Sequence, residues 1–256
     1  MYDDGAPWTG DGVTKDAEEV SMGDAKCASR AQEKEGRVPS DDDVMRAAKA
    51  LANGRPAYHF VKRLFDIVFS AAVLVVLSPV WAVVAIAVKV DDPSGPVLFT
   101  QERVGYNGRP FRMLKFRSMF TDAEERQADL ARLNEKSGPV FKMRDDPRVT
   151  RVGKLLRKTS IDEVPQFVNV LKGDMSVVGP RPALPKEVAT YDAHERLRLL
   201  VKPGMTCFWQ TRRDRDGVSF DEWVDLDLLY IERCGVLTDA RLVLRTVGVV
   251  FTAQGN

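Results

Sequence analysis

The longest apolar run of the chain covers residues 64–88 and contains a single charged side chain, Asp66. About 25 apolar residues are enough for a helix that crosses a membrane. Lys62 and Arg63 precede the run, and Lys89 follows it. A buried core helix is the alternative, but soluble cores rarely need so long an apolar segment. The pattern therefore favours insertion into a membrane.

The Ser78-Pro79 pair interrupts this run near its middle. Proline removes a helical hydrogen bond and clashes with the preceding turn. As helices, residues 64–77 and 79–88 would be about 21 Å and about 15 Å long, so neither spans a hydrocarbon core of about 30 Å. A sharp break would return the chain to the side it entered, which basic residues at both ends favour. Membranes also tolerate Pro-kinked spanning helices, so the residues alone leave both arrangements open.

The polar segment before the run, residues 1–57, shows no sustained apolar period. Its composition predicts a largely disordered extension. One short helix is expected within it, over residues 41–53. Met1 is followed by acidic residues and no early apolar stretch, so we expect no cleavable signal peptide.

From Asp91 onward the pattern of apolar and polar residues predicts a globular domain of short strands and helices. Residues 97–116 should form two strands joined by a turn at YNGRP. A polar helix is expected next, beginning at Thr121 or Asp122 and continuing to about residue 136.

The following helix signal lies in TSIDEVPQFVNVLKGDMS. Ser160 and Glu163 have the spacing of a capping box, and Gly173 is a good helix stop. Apolar residues recur on one helical face between these signals, at Ile161, Val164, Val168 and Leu171.

Three further elements complete the predicted domain. Residues 177–185, VVGPRPALP, should form a rigid non-helical loop, and residues 184–204 a helix ended by Pro203-Gly204. Residues 220–253 should form two helices with a break near Cys234-Gly235. The apolar faces of these two helices would pack on the body or lie in the membrane interface.

Charge and composition narrow the classes of function. The net charge is only +1, which argues against a strongly basic nucleic-acid-binding protein. Residues 1–60 hold 12 acidic and 8 basic side chains, whereas residues 61–256 hold 25 acidic and 30 basic ones. The structured part is therefore the basic part, where anionic ligands are expected. Three scattered cysteines and two histidines predict neither a disulfide framework nor a zinc site.

The first candidate chemistry lies in KFRSMFTDAEE, residues 115–125. Lys115 and Arg117 end a predicted strand, and carboxylates follow at Asp122, Glu124 and Glu125. A carboxylate can coordinate Mg²⁺ together with substrate phosphates, or attack phosphorus as a nucleophile. The alternative is ordinary, since acidic residues also favour a helix N-terminus.

Two other motifs combine charge with a restricted backbone. In GPRP, prolines on both sides of Arg181 fix an arginine that suits phosphate or carboxylate recognition, with a structural turn as the alternative. In SIDE, residues 160–163, the adjacent carboxylates of Asp162 and Glu163 could take part in a reaction. The pattern favours the other interpretation, in which they belong to a helix cap. The chain has no P-loop, no GxGxxG after a strand and no GxSxG.

Five segments carry a resemblance to a known family. They are, in chain order, KRLFDIVFS, LSP, SGPVLFTQERVGYNGRPFRMLKFRSM, DDPRVTRVGKLLRKTSIDEVPQFVNVLKGDMSVVGPRP and KPGMTCFWQ. Together they resemble the bacterial sugar transferases, the monotopic phosphoglycosyl transferases that begin glycan assembly on polyprenyl phosphate. The resemblance runs from about Lys62 to the C-terminus.

The resemblance implies an enzyme that moves a sugar-1-phosphate from a UDP-sugar to polyprenyl (undecaprenyl) phosphate and releases UMP. This is the first membrane step of exopolysaccharide, capsule or glycan assembly. In the family, an Asp–Glu pair after the KFR-S-M motif acts with Mg²⁺, and the Asp holds a covalent phosphosugar. Carried over, Asp122 is the expected nucleophile and Glu124 its partner, and both would bind Mg²⁺. Glu125 is the second choice, because Ala123 stands where the family often has the Glu.

The remaining site residues are carried over in the same way. Arg181 is similar to the arginine of the family's Pro-Arg-Pro motif, which lies at the nucleotide and phosphate site. Lys115, Arg117 and Arg103 are expected as further phosphate-binding residues. The chain has TRRDRD where many members have a Gly-Arg pair, so no sugar or base contact is transferred from there.

The implied fold class is α+β, mainly helical. A re-entrant membrane helix–break–helix would occupy residues 58–90, with Ser78-Pro79 at the break. A small cytoplasmic catalytic domain with a short β-hairpin and interfacial helices would occupy residues 91–256. The expected location is the cell (inner, cytoplasmic) membrane, with this domain on the cytoplasmic face. The expected partners are a UDP-sugar, the polyprenyl phosphate lipid and the membrane, without nucleic acid, and a homo-oligomer is left open.

Two other functions are kept beside this one. A non-enzymatic, membrane-anchored nucleotide-sugar-binding or scaffold protein would account for the missing adjacent Glu. A glycosyltransferase that moves the sugar without its phosphate would release UDP in place of UMP. The sequence does not identify the sugar, and galactose or glucose is the first expectation.

Overall fold

The computed structural model describes residues 38–135, 138–141, 143, 145–212 and 217–251. The helices within these ranges, in chain order, are α1 (Asp41–Gly54), α2 (Pro56–Val76), α3 (Ser78–Asp91), α4 (Arg151–Lys158), α5 (Gln166–Lys172), α6 (Pro185–Thr190), α7 (Ala193–Arg196), α8 (Phe220–Arg233) and α9 (Val236–Phe251). The strands are β1 (Leu98–Val104), β2 (Pro110–Phe116), β3 (Ser176–Val178) and β4 (Gly204–Thr206). The mainly helical α+β class is therefore confirmed.

Helix α1 belongs to the packed body of the protein. Ser40 caps it, since the Ser40 hydroxyl accepts a hydrogen bond from the Asp43 amide (3.3 Å) and the Asp43 carboxylate accepts one from the Ser40 amide (3.4 Å). One face of α1 lies in the core, through Val44, Ala48 and Leu51. The compact unit begins at residue 39, so the boundary predicted after residue 57 falls inside it. The disorder predicted for residues 1–37 lies outside the described residues.

The long apolar run forms two helices, α2 and α3, which meet at Leu77 with a bend of 61°. Pro79 lies in the first turn of α3, where its missing N–H costs no hydrogen bond, and the Ser78 hydroxyl donates to the carbonyl of Val75 (2.8 Å). Within the described residues no single helix is long and apolar enough to cross a membrane, and the bent pair qualifies only as a pair, by length and composition. The predicted break is present.

The bent pair exposes apolar side chains along its length, from Phe60 (70% exposed) to Val90 (78% exposed). Val75 and Val76 at the end of α2 are each 72% exposed, and Val83 and Ile86 on α3 are 67% and 66% exposed. The opposite face of α3 packs against the hairpin and α4, through Val84, Val88, Phe116 and Leu156. Exposed apolar surfaces of this kind mark sites of interaction with other proteins or with membranes.

Strands β1 and β2 form the predicted antiparallel hairpin, with Leu98 opposite Phe116 and Val104 opposite Pro110. Asn107 adopts a left-handed conformation in the turn (φ 53°), which asparagine tolerates better than most residues. Helix α5 fastens this hairpin to the body. The buried Asn169 side chain accepts from the Leu114 amide (3.0 Å) and donates to the Arg112 carbonyl (2.8 Å).

The polar helix predicted from Thr121 or Asp122 to residue 136 is wrong. The described part of this segment forms turns and two short 3₁₀ turns, Glu125–Gln127 and Ala131–Leu133. The segment has no apolar stripe to bury, and short helices in water depend on such packing.

The capping box predicted at Ser160 is also wrong. Ser160 is left-handed (φ 56°) and its side chain caps nothing. A 3₁₀ turn, Ile161–Glu163, follows, and α5 begins only after Pro165, which has no N–H to continue the ladder of hydrogen bonds. The predicted stop at Gly173 is confirmed, with φ 92° at the helix end.

The helix predicted over residues 184–204 is divided into α6, α7 and a 3₁₀ turn, Leu197–Leu200. Asp192 restarts the chain as a helix cap: its carboxylate accepts from the Glu195 amide (2.8 Å), and its own amide donates to the Glu195 carboxylate (2.8 Å). Pro203-Gly204 then leads into β4, which pairs in parallel with β3.

The β3–β4 pair depends on two glycines. A Cβ added at Gly204 would lie 2.0 Å from the Gly179 nitrogen, and one added at Gly179 would lie 2.4 Å from the Lys202 carbonyl oxygen. This close approach lets the Gly204 amide donate to the carbonyl of Pro180 (2.8 Å). The GPRP segment is thus held directly against β4.

The two C-terminal helices, α8 and α9, meet near Cys234-Gly235, as predicted. Helix α8 runs through the main core, where Leu228 and Ile231 are fully buried. Helix α9 leaves several apolar side chains exposed, namely Val236, Leu237, Leu244 and Val247.

Candidate active site

Three polar residues of α2, Lys62, Arg63 and Asp66, form what we term the α2 clamp. The Asp66 carboxylate accepts from the Ser176 hydroxyl (3.1 Å) and the Val177 amide (2.9 Å) of β3. Two residues of β3 therefore depend on a carboxylate that belongs to the bent helix pair.

The basic members of the clamp complete the attachment. The Lys62 ammonium donates to the Val178 carbonyl (3.0 Å) and to the Asp239 carboxylate of α9 (2.9 Å). The Arg63 guanidinium donates to two carbonyls at the end of α5, those of Val170 and Leu171, at 2.7 Å each. The bent pair is therefore joined to the segment that leads directly into GPRP.

Arg181 of GPRP lies beside an aromatic ring rather than a carboxylate. Its guanidinium carbon is 5.5 Å from the centre of the Trp223 ring. Within the part of the chain that the structure describes, no carboxylate forms an ion pair with Arg181. A small cleft opens at this arginine, and its other walls include Gly105, Arg198 and Tyr191. Arg181 thus keeps its charge available to an anion.

Arg103 supports the same loop from β1. It is 6% exposed, and its guanidinium donates to the Pro182 carbonyl (2.9 Å) and the Gln101 side chain (2.6 Å). Burial, followed by the neighbouring charge of Arg181, lowers the pKa of Arg103 to about 9. The residue predicted to bind phosphate therefore fixes the backbone of GPRP and adds positive potential behind Arg181.

Lys115 meets the SIDE motif. Its ammonium lies 2.8 Å from the Glu163 carboxylate. Burial opposes ionisation of Glu163, but Lys115 and, at longer range, Arg181 hold its pKa below the usual value. Burial raises the pKa of the adjacent Asp162 to about 6. The two carboxylates therefore differ in charge over the mildly acidic range, and they face the cations instead of capping a helix.

Sequence reasoning gave the SIDE carboxylates mainly a capping role and passed over Arg157. The Arg157 guanidinium donates to the Ser118 hydroxyl of the KFRSM motif (3.0 Å), and electrostatic interactions link it to Asp162. The adjacency of two acidic residues was the one available signal for this cluster. The sequence held no signal for Arg157, because contact between α4 and the strand end places it there.

Arg117, directly after the end of β2, contacts the turn that follows α3. Its buried guanidinium pairs with the Asp92 carboxylate (2.5 Å) and donates to the carbonyls of Asp92 and Gly95. These contacts tie the end of β2 to the turn that follows α3. Arg117 therefore has a structural role, and its phosphate-binding role stays a prediction.

Asp122 lies on the loop that follows β2. Its Oδ2 atom is 2.5 Å from the Arg126 guanidinium, while its Oδ1 atom is buried and has no hydrogen-bond partner. The backbone beside it is fixed, because Arg148 donates to the carbonyl of the buried Ala123 (3.2 Å). A buried carboxylate oxygen without a partner is costly, and it indicates a place for a ligand.

Asp122, Glu124 and Glu125 are the candidate carboxylate ligands for Mg²⁺. Within the described ranges no three His, Cys, Asp or Glu side chains come together as a metal site. Mg²⁺ needs fewer, since it usually binds one or two carboxylates together with substrate phosphates and water. The unpartnered Oδ1 of Asp122 fits that role, and Glu124 and Glu125 are both exposed beside it. The structure does not choose between these two glutamates.

Comparison with known proteins identifies the family. The family model described as bacterial sugar transferase matches residues 57–253. The chain belongs to the bacterial sugar transferase family. The match covers the bent helix pair, the hairpin, the loop that carries Asp122 and the GPRP segment. The resemblance inferred from the motifs is therefore confirmed.

Curated relatives of this sugar transferase carry related names. A galactosyl transferase, CpsE, of Streptococcus agalactiae is 44% identical over 194 residues, which is 76% of this chain and 43% of that protein. The undecaprenyl-phosphate galactose phosphotransferase of Salmonella typhimurium is 39% identical over 204 residues, 77% of this chain and 41% of that protein. The exopolysaccharide production protein ExoY of Rhizobium meliloti is 36% identical over 206 residues, 79% of this chain and 90% of that protein. The sugar transferase thus spans less than half of the first two relatives and most of the third.

Proposed function

We propose that this sugar transferase moves a sugar-1-phosphate from a UDP-sugar to undecaprenyl phosphate. Relatives named for undecaprenyl-phosphate transfer include a galactose phosphotransferase and a glucose phosphotransferase. A third is named for N-acetylgalactosamine, so the relatives do not agree on the sugar. A relative named for exopolysaccharide production supports a place at the start of glycan assembly.

The observation that carries the proposal is the Asp122 carboxylate, with one oxygen buried and unpartnered, on the loop that leaves the cationic strand end. In the proposed first step, a carboxylate oxygen of Asp122 attacks the sugar-bearing phosphorus. The bond from that phosphorus to the bridging oxygen breaks, and the oxygen leaves with UMP. In the second step a phosphate oxygen of the lipid attacks the same phosphorus and displaces the Asp122 carboxylate. UDP-sugar and undecaprenyl phosphate are thus converted to UMP and an undecaprenyl-diphosphate sugar.

The contacts of the basic side chains suggest a role for each of them in the reaction. Arg181 has no carboxylate partner among the described residues and would bind the donor's diphosphate. Lys115 would stabilise charge on the transferring group, with Glu163 holding its ammonium in place. Bound Mg²⁺, held by Asp122 and by Glu124 or Glu125, would neutralise phosphate charge. Phosphoryl transfer depends mainly on such positioning and charge stabilisation.

The bent helix pair supports a re-entrant membrane segment. Apolar side chains are exposed along both helices and at the bend, while the clamp residues of α2 contact the body. Both ends of the pair reach the same domain, α2 through β3 and α3 through the turn at Asp92. We therefore propose that the pair enters and leaves the membrane on the cytoplasmic face, where the lipid phosphate would meet Asp122.

The experiment is a donor panel with the full chain in lipid nanodiscs, supplied with Mg²⁺ and undecaprenyl phosphate. We expect UMP to be released with at least one UDP-sugar, and Asp122→Asn to abolish the release. Asp129→Asn, an exposed carboxylate on the same loop, is the matched control and should retain activity.

Three results would contradict the proposal. Release of UDP would indicate transfer of the sugar without its phosphate. Binding of UDP-sugars without turnover would indicate a scaffold protein. Full activity of Asp122→Asn would remove the proposed nucleophile. Trapping the radiolabelled phosphosugar on the wild-type chain, and its absence from the Asp122→Asn variant, tests the covalent step directly.

A further inference from the structure

Trp223 of helix α8 and Trp209 of a 3₁₀ turn (Trp209–Thr211) form a stacked pair of tryptophans beside Arg181. The Trp223 and Trp209 rings lie 4.2 Å apart between centres, with an angle of 21° between their planes. They are 6% and 7% exposed, so neither face is open to a substrate. The Trp223 ring has the Arg181 guanidinium 5.5 Å from its centre.

The contact with the Trp223 ring holds the Arg181 guanidinium without neutralising its charge. Burial lowers the pKa of Arg103 to about 9, and the nearby positive charge of Arg181 contributes to the same shift. An anchoring carboxylate would hold Arg181 but would also cancel its charge. The face of an indole ring attracts a cation through its quadrupole and leaves the positive charge intact.

The backbone supports the same geometry. Pro180 and Pro182 restrict the conformation on each side of Arg181. The Pro182 carbonyl accepts from Arg103, and the Pro180 carbonyl accepts from the Gly204 amide (2.8 Å). With the main chain fixed, the remaining freedom of Arg181 lies in its long side chain, and among the described residues the Trp223 ring is in contact with its guanidinium.

We propose that Trp223 is a positioning residue that holds the Arg181 guanidinium, fully charged, for the diphosphate of the nucleotide donor. This inference rests on the proposed function only in its choice of a nucleoside-diphosphate ligand. Trp223 acts through Arg181 and does not touch the substrate.

The test measures UDP binding by titration calorimetry on the full chain in nanodiscs, so that turnover is not needed. Trp223→Leu removes the aromatic face and should weaken UDP binding about 5-fold, within the range of cation–π interactions. Trp223→Phe keeps a weaker face and should lie between Trp223→Leu and the wild type. Trp209→Phe, which leaves the Trp223 face in place, is the matched control and should bind UDP like the wild type.

A double-mutant cycle separates positioning from general damage to the fold. In an Arg181→Ala background, Trp223→Leu should cause no further loss of UDP affinity, because the group it positions is gone. An equal loss in both backgrounds would overturn the proposal, as would normal UDP binding by Arg181→Ala. If Trp223→Leu unfolds the protein, the cycle is repeated with Trp223→Phe. The loss of UDP affinity should again be smaller in the Arg181→Ala background than in the wild type. Failure of the proposed function would appear as absence of UMP release, while this cycle in UDP binding would still be measured.

Discussion

Replacing Gly204 with alanine should separate β3 from β4 and displace the GPRP loop. The new Cβ would lie 2.0 Å from the Gly179 nitrogen and 2.6 Å from the Gly179 Cα, both backbone atoms that no side-chain rotation can move. Ordinary contact begins near 3.4 Å, so the two segments must move apart by about 1.4 Å.

The cost follows from that displacement. Two of the hydrogen bonds that cross the gap run from the Gly204 amide to the Pro180 carbonyl (2.8 Å) and from the Gly179 amide to the Thr206 carbonyl (2.9 Å). Weakening two buried hydrogen bonds and overpacking the contact should together lower the free energy of unfolding by about 3 kcal/mol. For a domain of this size the midpoint of thermal unfolding would fall by about 6–12 °C.

The assay combines thermal unfolding in detergent micelles with UDP binding by calorimetry. Gly248→Ala is the matched control, because a Cβ there meets nothing within 4 Å and the residue lies inside α9. The control should leave UDP binding unchanged and raise the unfolding midpoint slightly, since alanine favours a helix. An unchanged midpoint and unchanged UDP affinity in Gly204→Ala would refute the close-contact reasoning.

Three further predictions concern the hairpin, the SIDE carboxylates and the helix break. Asn169→Ala should lower the free energy of unfolding by about 1–3 kcal/mol, measured by chemical denaturation, because two backbone groups of β2 lose their partner; no change would show that water replaces the amide. The pKa of Asp162 is raised to about 6 from 3.8, so the fold favours the protonated carboxyl, and this site should lower stability progressively as pH rises from about 4 to about 6. Asp162→Asn should therefore gain stability over the wild type across that range, measured as thermal midpoint against pH, and parallel curves would contradict the assignment. Pro79→Leu should straighten the bent pair and lower activity. In a chain that keeps Pro79, cysteines placed at the two ends of residues 64–88 should both be labelled from the cytoplasmic side. Periplasmic labelling of the first end would exclude a re-entrant segment.

Local signals in the sequence were enough for several elements. The break at Ser78-Pro79, the hairpin turn and the helix stop at Gly173 each depend on a proline or glycine, or on an asparagine in a tight turn. These residues restrict the backbone within a few positions, so their effect does not depend on distant contacts.

The elements that were missed depend on distant contacts. The segment after Asp122 has helix-forming residues but no apolar face, and propensity alone did not maintain a helix. The segment from residue 184 to 204 has such a face, but the cap at Asp192 interrupts it and β3 draws its last residues into a strand. The first segment was treated as a single helix because of its start signal at Thr121 or Asp122, and the second because its apolar residues suggested one continuous face.

The candidate site shows the same division. Asp122 and Arg181 could be named from motif spacing and family resemblance. The contacts of the buried Arg117 and Arg103 with backbone carbonyls could not. In the sequence, a basic residue at the end of a strand looks the same whether its side chain binds a ligand or a neighbouring turn. Only the packing of neighbouring segments decides between the two.

The α2 clamp has a practical consequence for anyone who prepares this protein. Cutting the chain at residue 91 to obtain a water-soluble enzyme would remove the acceptor of the Val177 amide and the donors to the carbonyls at the end of α5. It would also leave Asp239 without its lysine partner. The bent pair is therefore a structural part of the folded body, and the smallest unit expected to remain folded must be purified together with the segment that exposes apolar side chains.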